Sequence, residues 1–223
     1  MRTILITGFG RFPGSPVNPS GLMAMHLADR RRPALDGTRR VAHVFATRYD
    51  AVDRELPALL ARDKPDIVVM FGVASRSRRV RIETRARNRI AQFPDASGCR
   101  PAAHTIASHP DVQCNPLPIV RLLNAAHTVG VAAAPSRNAG AYLCNYLYWR
   151  ALEAAAAPEG PGLVIFIHVP PIRLKNLPKK RPATNPLKKR PLPKHRIPHL
   201  NDLIRAGEAI MIAMTSLAAG RRP

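Results

Sequence analysis

Residues 163–171 read Leu163-Val164-Ile165-Phe166-Ile167-His168-Val169-Pro170-Pro171. Up to Val169 the run is apolar at odd and even positions alike, His168 apart, so both faces of the strand it forms must be covered. The proline pair stops it. Residues 66–71 form a second apolar, β-branched run ending at Gly72. Residues 2–7 (Arg-Thr-Ile-Leu-Ile-Thr) form a third, expected to end at Gly8-Phe9-Gly10, and 41–46 is also strand-like.

Amphipathic segments alternate with these runs. Asn18 caps a helix with Pro19 at its first position, running to about residue 30. In 51–62, Val52, Leu56, Leu59 and Leu60 share one side. Residues 118–129, 141–156 and 200–218 are further helix candidates. Buried strands alternating with such helices predict an α/β fold, a mostly parallel sheet covered on both sides, in a single domain spanning 1–223. In such sheets ligands bind beyond the carboxyl ends of the strands, which directs attention to 8–18, 72–76 and the residues after His168.

The stretch 79–89 has a different period. Arg79, Arg81, Glu83, Arg85, Arg87 and Arg89 alternate with Val80, Ile82, Thr84 and Ala86, which predicts one strand with a polar and an apolar face. Glu83 is then the lone acid among arginines and reads as a carboxylate. Two roles are open to it: neutralising its neighbours, or taking part in chemistry.

The chain has 223 residues and a net charge of +21, unevenly placed. Residues 173–198 hold ten Lys or Arg, six prolines and no acid, which predicts an extended basic loop. A second cluster, 76–100, has eight arginines against Glu83 and Asp95. Such surfaces attract polyanions without choosing among them, and the 173–198 stretch lacks the aromatics that stack on single-stranded nucleic acid, so only incidental polyanion binding is expected. An apolar fraction of 46% excludes a wholly disordered chain. No apolar run approaches the ~18–20 residues of a membrane span, and the opening residues lack a secretory signal pattern. Three cysteines argue against a disulfide framework, so a soluble, cytoplasmic protein is expected.

Cys144 lies near the start of the 141–156 helix. A thiolate there is stabilised by free backbone N–H groups, which could also serve as an oxyanion hole; a buried, inert cysteine is the alternative. His168 ends a central strand, where a ring is well placed for chemistry or simply satisfied in the core. Cysteine, histidine and an acid can form a nucleophile, a base and an orienting group. Cys99-x4-His104-x4-His109-x4-Cys114 offers four potential zinc ligands, but structural zinc sites use tighter Cys-x2–4-Cys knuckles, so it reads as a polar surface loop and no metal is expected.

Three pieces resemble the pyrrolidone-carboxylate peptidase (pyroglutamyl peptidase I) family of cysteine peptidases. They are Thr7-Gly8-Phe9-Gly10-Arg11-Phe12-Pro13-Gly14 with Asn18-Pro19-Ser20, Ala139-Gly140-Ala141-Tyr142-Leu143-Cys144-Asn145, and Phe166-Ile167-His168-Val169-Pro170. The resemblance implies a three-layer α/β/α sandwich with a mostly parallel mixed sheet. It also implies removal of N-terminal pyroglutamate from peptide substrates, and a homo-oligomer. It assigns Cys144 as nucleophile, His168 as general base and Glu83 as orienting acid, with Phe9 and Phe12 against the pyrrolidone ring. A flat, uncharged lactam suits apolar walls and a few backbone hydrogen bonds.

Two loops depart from the family pattern. Gly72-Val73-Ala74-Ser75-Arg76-Ser77-Arg78 stands where the family has Gly-x-Ala-Gly-Gly-Arg, and the loss of two glycines predicts reduced backbone freedom. Ala91-Gln92-Phe93-Pro94-Asp95 lacks the family's preceding arginine, for which Arg85 and Arg87 are the candidate substitutes. The excess positive charge leaves one rival reading: an impaired member that binds polyanions or a partner.

Overall fold

A computed structural model describes residues 1–12, 17–108, 111–172 and 198–220. The basic stretch 173–197 and His109 lie outside them. Among the described residues six strands form one sheet. In chain order they are β1 (Arg2–Phe9), β2 (Thr38–Phe45), β3 (Ile67–Val73), β4 (Val80–Glu83), β7 (Ala133–Ser136) and β8 (Leu163–Val169); β5 (Arg85–Arg87) and β6 (Val112–Cys114) form a separate antiparallel pair. The sheet order is β2-β1-β3-β8-β4-β7. β2, β1, β3 and β8 are parallel, whereas β4 runs antiparallel to β8 and carries β7 parallel to itself.

The double-sided burial expected of the apolar runs follows from the layers. Ile4, Ile6, Ile67, Val69, Ile165 and Ile167 face α1 (Pro19–Asp29), α3 (Ile119–Thr128) and α5 (Leu200–Ala219). Leu5, Val68, Met70, Val164 and Phe166 face α2 (Tyr49–Asp63) and α4 (Leu143–Ala155). This is the expected three-layer α/β/α arrangement with a mixed sheet.

β1 continues through Gly8 rather than stopping before it. A Cβ at Gly8 would stand 2.3 Å from the Ser20 carbonyl oxygen, so the glycine lets α1 start directly against the strand. Asn18 caps α1 as predicted: its Oδ1 accepts from the Ser20 N–H (3.1 Å) and hydroxyl (2.7 Å), and its amide donates to Gly10 O (2.9 Å).

The predicted single strand over 79–89 is instead two, belonging to different sheets. At Thr84 the chain leaves the main sheet: its N–H and hydroxyl both donate to Ser136 O, and its carbonyl accepts from Asn115 N–H. β7 was not foreseen. It is an edge strand, where Pro135 removes no ladder bond that another strand needs. No helix among the described residues is long and apolar enough to cross a membrane.

Candidate active site

The site is assembled at the carboxyl end of β8. In the antiparallel register Arg81 stands opposite His168 and Glu83 opposite Phe166, so Glu83 and His168 are diagonal neighbours on the face that α4 covers. Glu83 Oε1 lies 2.8 Å from His168 Nδ1. A carboxylate can only accept, so Nδ1 carries the proton, and Nε2 is left for the Cys144 sulfur, the ring's other partner. Glu83 is fully buried and also meets the Arg81 guanidinium at 3.2 Å. Both roles considered for it are therefore present: it is paired with an arginine and holds the imidazole.

His168 is 6% exposed. Burial pushes its pKa down, but hydrogen bonding and charge from Cys144 and then Glu83 outweigh it, raising the value from 6.5 to about 9. The ring is packed beside Phe166 (centroids 5.0 Å), itself against Tyr148 (5.7 Å), whose hydroxyl donates to Glu83 O at 3.0 Å.

Cys144 enters from the helical layer, in the first turn of α4. The residue before that helix, Tyr142, provides no side-chain cap, so the first backbone N–H groups of α4 have no intrahelical or capping acceptor. Uncapped N–H groups beside the sulfur are donors of the kind that can stabilise an oxyanion on a carbonyl attacked by Cys144. Asn145, fully buried, fixes this end of the helix. It accepts from Arg87 N–H (2.9 Å) and donates to the carbonyls of Arg87 (2.8 Å) and Arg89 (3.1 Å). A Cβ at Gly72 would lie 2.7 Å from Cys144 Sγ and 2.8 Å from the Phe166 ring, so only glycine leaves the sulfur its place.

The structure thus brings Glu83, Cys144 and His168 together. Cys144 and His168 line one cavity of about 1170 Å³, bordered by 73–79, 129–132 and 138–142. Phe9 and Phe12 do not line it. Phe9 is 3% exposed and packs against Phe45, while Phe12 is half-buried beyond the carboxyl end of β1. Gly72, Arg81, Asn145 and Tyr148 were not singled out in the sequence. Gly72 reads there as a strand stop, and the others gain their meaning only from partners far along the chain.

The departing loops are both accommodated. Ser77 N–H donates to Ala74 O (2.9 Å), closing a turn with no positive φ at Ser75 or Arg76, so the missing glycines impose no strain. Arg85 and Arg87 are bound to the 137–140 loop rather than standing free in the cavity: Arg85 donates to Arg137 O (3.0 Å), and Arg87 to Asn138 Oδ1 (2.6 Å) and Gly140 O (3.3 Å). They brace the loop that leads into Cys144. In 91–95, Asp95 accepts from Ser97, Cys99 and Tyr49. Burial raises its pKa, but these bonds more than offset that and lower it. Cys99, His104 and Cys114 are exposed, and no group of three or more metal-ligating side chains gathers among the described residues.

A model of the pyroglutamyl peptidase family matches residues 2–186. A pyrrolidone-carboxylate peptidase from Cupriavidus pinatubonensis is 33% identical over 174 residues, 76% of this chain and 79% of its own. One from Thermococcus onnurineus is 31% identical over 182 residues, 81% and 89% of the two chains. The solved structure of the pyrrolidone carboxyl peptidase from Thermococcus litoralis superposes with a TM-score of 0.80 at 28% identity, covering 99% of this chain and 97% of that one. The reach of the family match, over the same motifs that build the site, leads to one conclusion: the chain belongs to the pyroglutamyl peptidase family of cysteine peptidases.

Proposed function

We infer that the protein removes N-terminal pyroglutamyl residues from peptides, with Cys144 as nucleophile, His168 as base and acid, and Glu83 as the positioning residue. The 2.8 Å Glu83–His168 pair, sharing its imidazole with Cys144 at an uncapped helix N-terminus, carries this reading.

The Cys144 thiolate attacks the scissile carbonyl carbon, and the first N–H groups of α4 receive the oxyanion. His168 Nε2–H protonates the leaving amine as the C–N bond breaks, giving a pyroglutamyl thioester. The neutral ring then takes a proton from water, hydroxide adds to the thioester, and the C–S bond breaks to return the thiolate and release pyroglutamate. Glu83 holds the imidazole tautomer and stabilises its charged form throughout. Phe9 and Phe12 lie outside the lining of the 1170 Å³ cavity, which supports assigning the lactam ring to the Phe12 side of Cys144 and the leaving peptide to the cavity. The chemistry calls on no metal or organic cofactor.

Hydrolysis of a pyroglutamyl fluorogenic amide by wild type, Cys144→Ser and His168→Ala tests this. Turnover in wild type alone is expected. Absence of turnover, with Cys144 alkylating no faster than an ordinary thiol, would leave a basic binding protein on a peptidase fold. The family membership also supports a cytoplasmic homo-oligomer, which light scattering of the purified chain and fractionation of cells check.

A further inference from the structure

The cavity beside Cys144 is larger than a five-membered lactam needs, since pockets for whole drug-sized ligands are about 300–1,000 Å³. Its border is also strongly one-signed. Arg76, Arg78, Arg79, Arg81 and Arg205 line it, against Asp202 as the one acid among the described lining residues. Two of these arginines have acid partners: Arg81 meets Glu83 at 3.2 Å and Arg205 meets Asp202 at 3.1 Å. Arg76, Arg78 and Arg79 are exposed, and no carboxylate among the described residues lies within ion-pair distance of them. They are nonetheless fixed close to the chemistry. Ala74 N–H donates to Val169 O (2.9 Å), tying their loop to the residue after His168, and Ser77 N–H donating to Ala74 O (2.9 Å) closes the turn that carries them.

We propose that this arginine border is a specificity site for the leaving peptide, selecting pyroglutamyl peptides with acidic side chains in the residues just after the scissile bond. The inference rests on the pyroglutamyl peptidase reading. A pyroglutamyl N-terminus carries no charge, so the sign of such a substrate near the cleavage point is set by the side chains that follow. An extended peptide advances about 3.3 Å per residue, which carries its first few side chains along the cavity wall. Cavity walls of low dielectric focus the field of unpaired charges toward a bound ligand. A free polyanion would meet the same arginines. Their attachment to the His168 strand, within the cavity that Cys144 enters, favours a ligand already held at the scissile bond.

The test compares matched peptides, pyroglutamyl-Glu-Glu, pyroglutamyl-Ala-Ala and pyroglutamyl-Lys-Lys amides, with full-length wild type and Arg76→Ser/Arg78→Ser/Arg79→Ser. Released pyroglutamate is followed at low and high salt. Each exposed ion pair contributes a few-fold at most, so kcat/KM for the acidic over the basic peptide is expected to be about tenfold at low salt. The ratio should shrink at high salt and collapse in the triple variant. Turnover of all three peptides without preference, or a preference that survives in the triple variant, overturns the proposal. If no peptide is turned over, the peptidase reading fails, and binding of labelled peptides to Cys144→Ala decides the border's role. Acidic over basic binding that the three serines erase supports it, and equal binding overturns it. A short oligonucleotide that binds wild type but not the triple variant, with no peptide preference, assigns the border to nucleic acid and also overturns it.

Discussion

His168 and Arg78 line the same cavity under opposite conditions. Around His168 the charges are engaged: fully buried Glu83 with the ring and Arg81, and half-buried Arg81 also with Ser136 Oγ (2.5 Å) and Asn138 O (2.6 Å). Around Arg78 the charges are exposed and lack acid partners among the described residues. Burial accounts for the contrast. A charge withdrawn from water is costly unless it is paired and hydrogen-bonded, whereas a guanidinium at a rim keeps its hydration and can wait for a ligand. The buried wall can hold a proton at a defined atom, and the exposed wall can only bias what arrives. Substitutions should therefore be severe on one wall and mild on the other.

His168→Ala should cost the most, about 10⁴-fold in kcat with Cys144 intact, because both proton transfers are lost together. Glu83→Gln should cost about 10²-fold and also move the pH profile. The His168 pKa, raised from 6.5 to about 9, holds the ring protonated beside the thiolate, so kcat/KM should fall as pH rises past about 9. Without Glu83 that limb should shift to lower pH. The same sign governs stability: the pair's contribution is fully present below 6.5 and is lost as pH rises through about 9, and denaturant titrations across that range should show a flatter curve for Glu83→Gln. If the limb does not move, Glu83 is not positioning the imidazole.

Asn145→Ala leaves the Arg87 N–H and two carbonyls without their buried partner and should destabilise by about 3 kcal/mol in chemical denaturation. Gly72→Ala must displace the Cys144 sulfur or the Phe166 ring, at about 1–3 kcal/mol, with a larger fall in alkylation rate of Cys144 than in stability. Arg78→Ser, on the exposed wall, should change stability by no more than about 0.5 kcal/mol. A large loss there would erase the contrast between the walls.

The parallel half of the sheet could be read from residues alone because 2–7, 66–71 and 163–169 are apolar on both faces, a pattern few other environments require. Asn18-Pro19 likewise carries its helix start locally. The other half could not. β7 reads Ala-Ala-Pro-Ser and exists as a strand because β4 pairs with it. The period-two pattern runs unbroken through Thr84, and the break there comes from Ser136, 52 residues on. The site divides in the same way. Cys144 and His168 stand out by residue type and position, and Glu83 as a lone acid, but their meeting depends on an antiparallel pairing that no local feature announces. Phe9 shows the converse: its motif points to a ligand wall, while packing under the α2 and α4 layer leaves it 3% exposed.

The antiparallel pairing of β4 with β8 has a consequence for how the molecule matures. Neighbouring residues on a strand face opposite layers, so β4 slipped by one position would turn Glu83 into the layer occupied by Ile165 and Ile167. The misaligned chain would bury a carboxylate among aliphatic side chains, away from His168, with Arg81 turned the same way. That penalty makes the acid a proofreader of strand alignment. A chain that reaches its native packing has already set the imidazole, and correct folding and readiness for chemistry become one event.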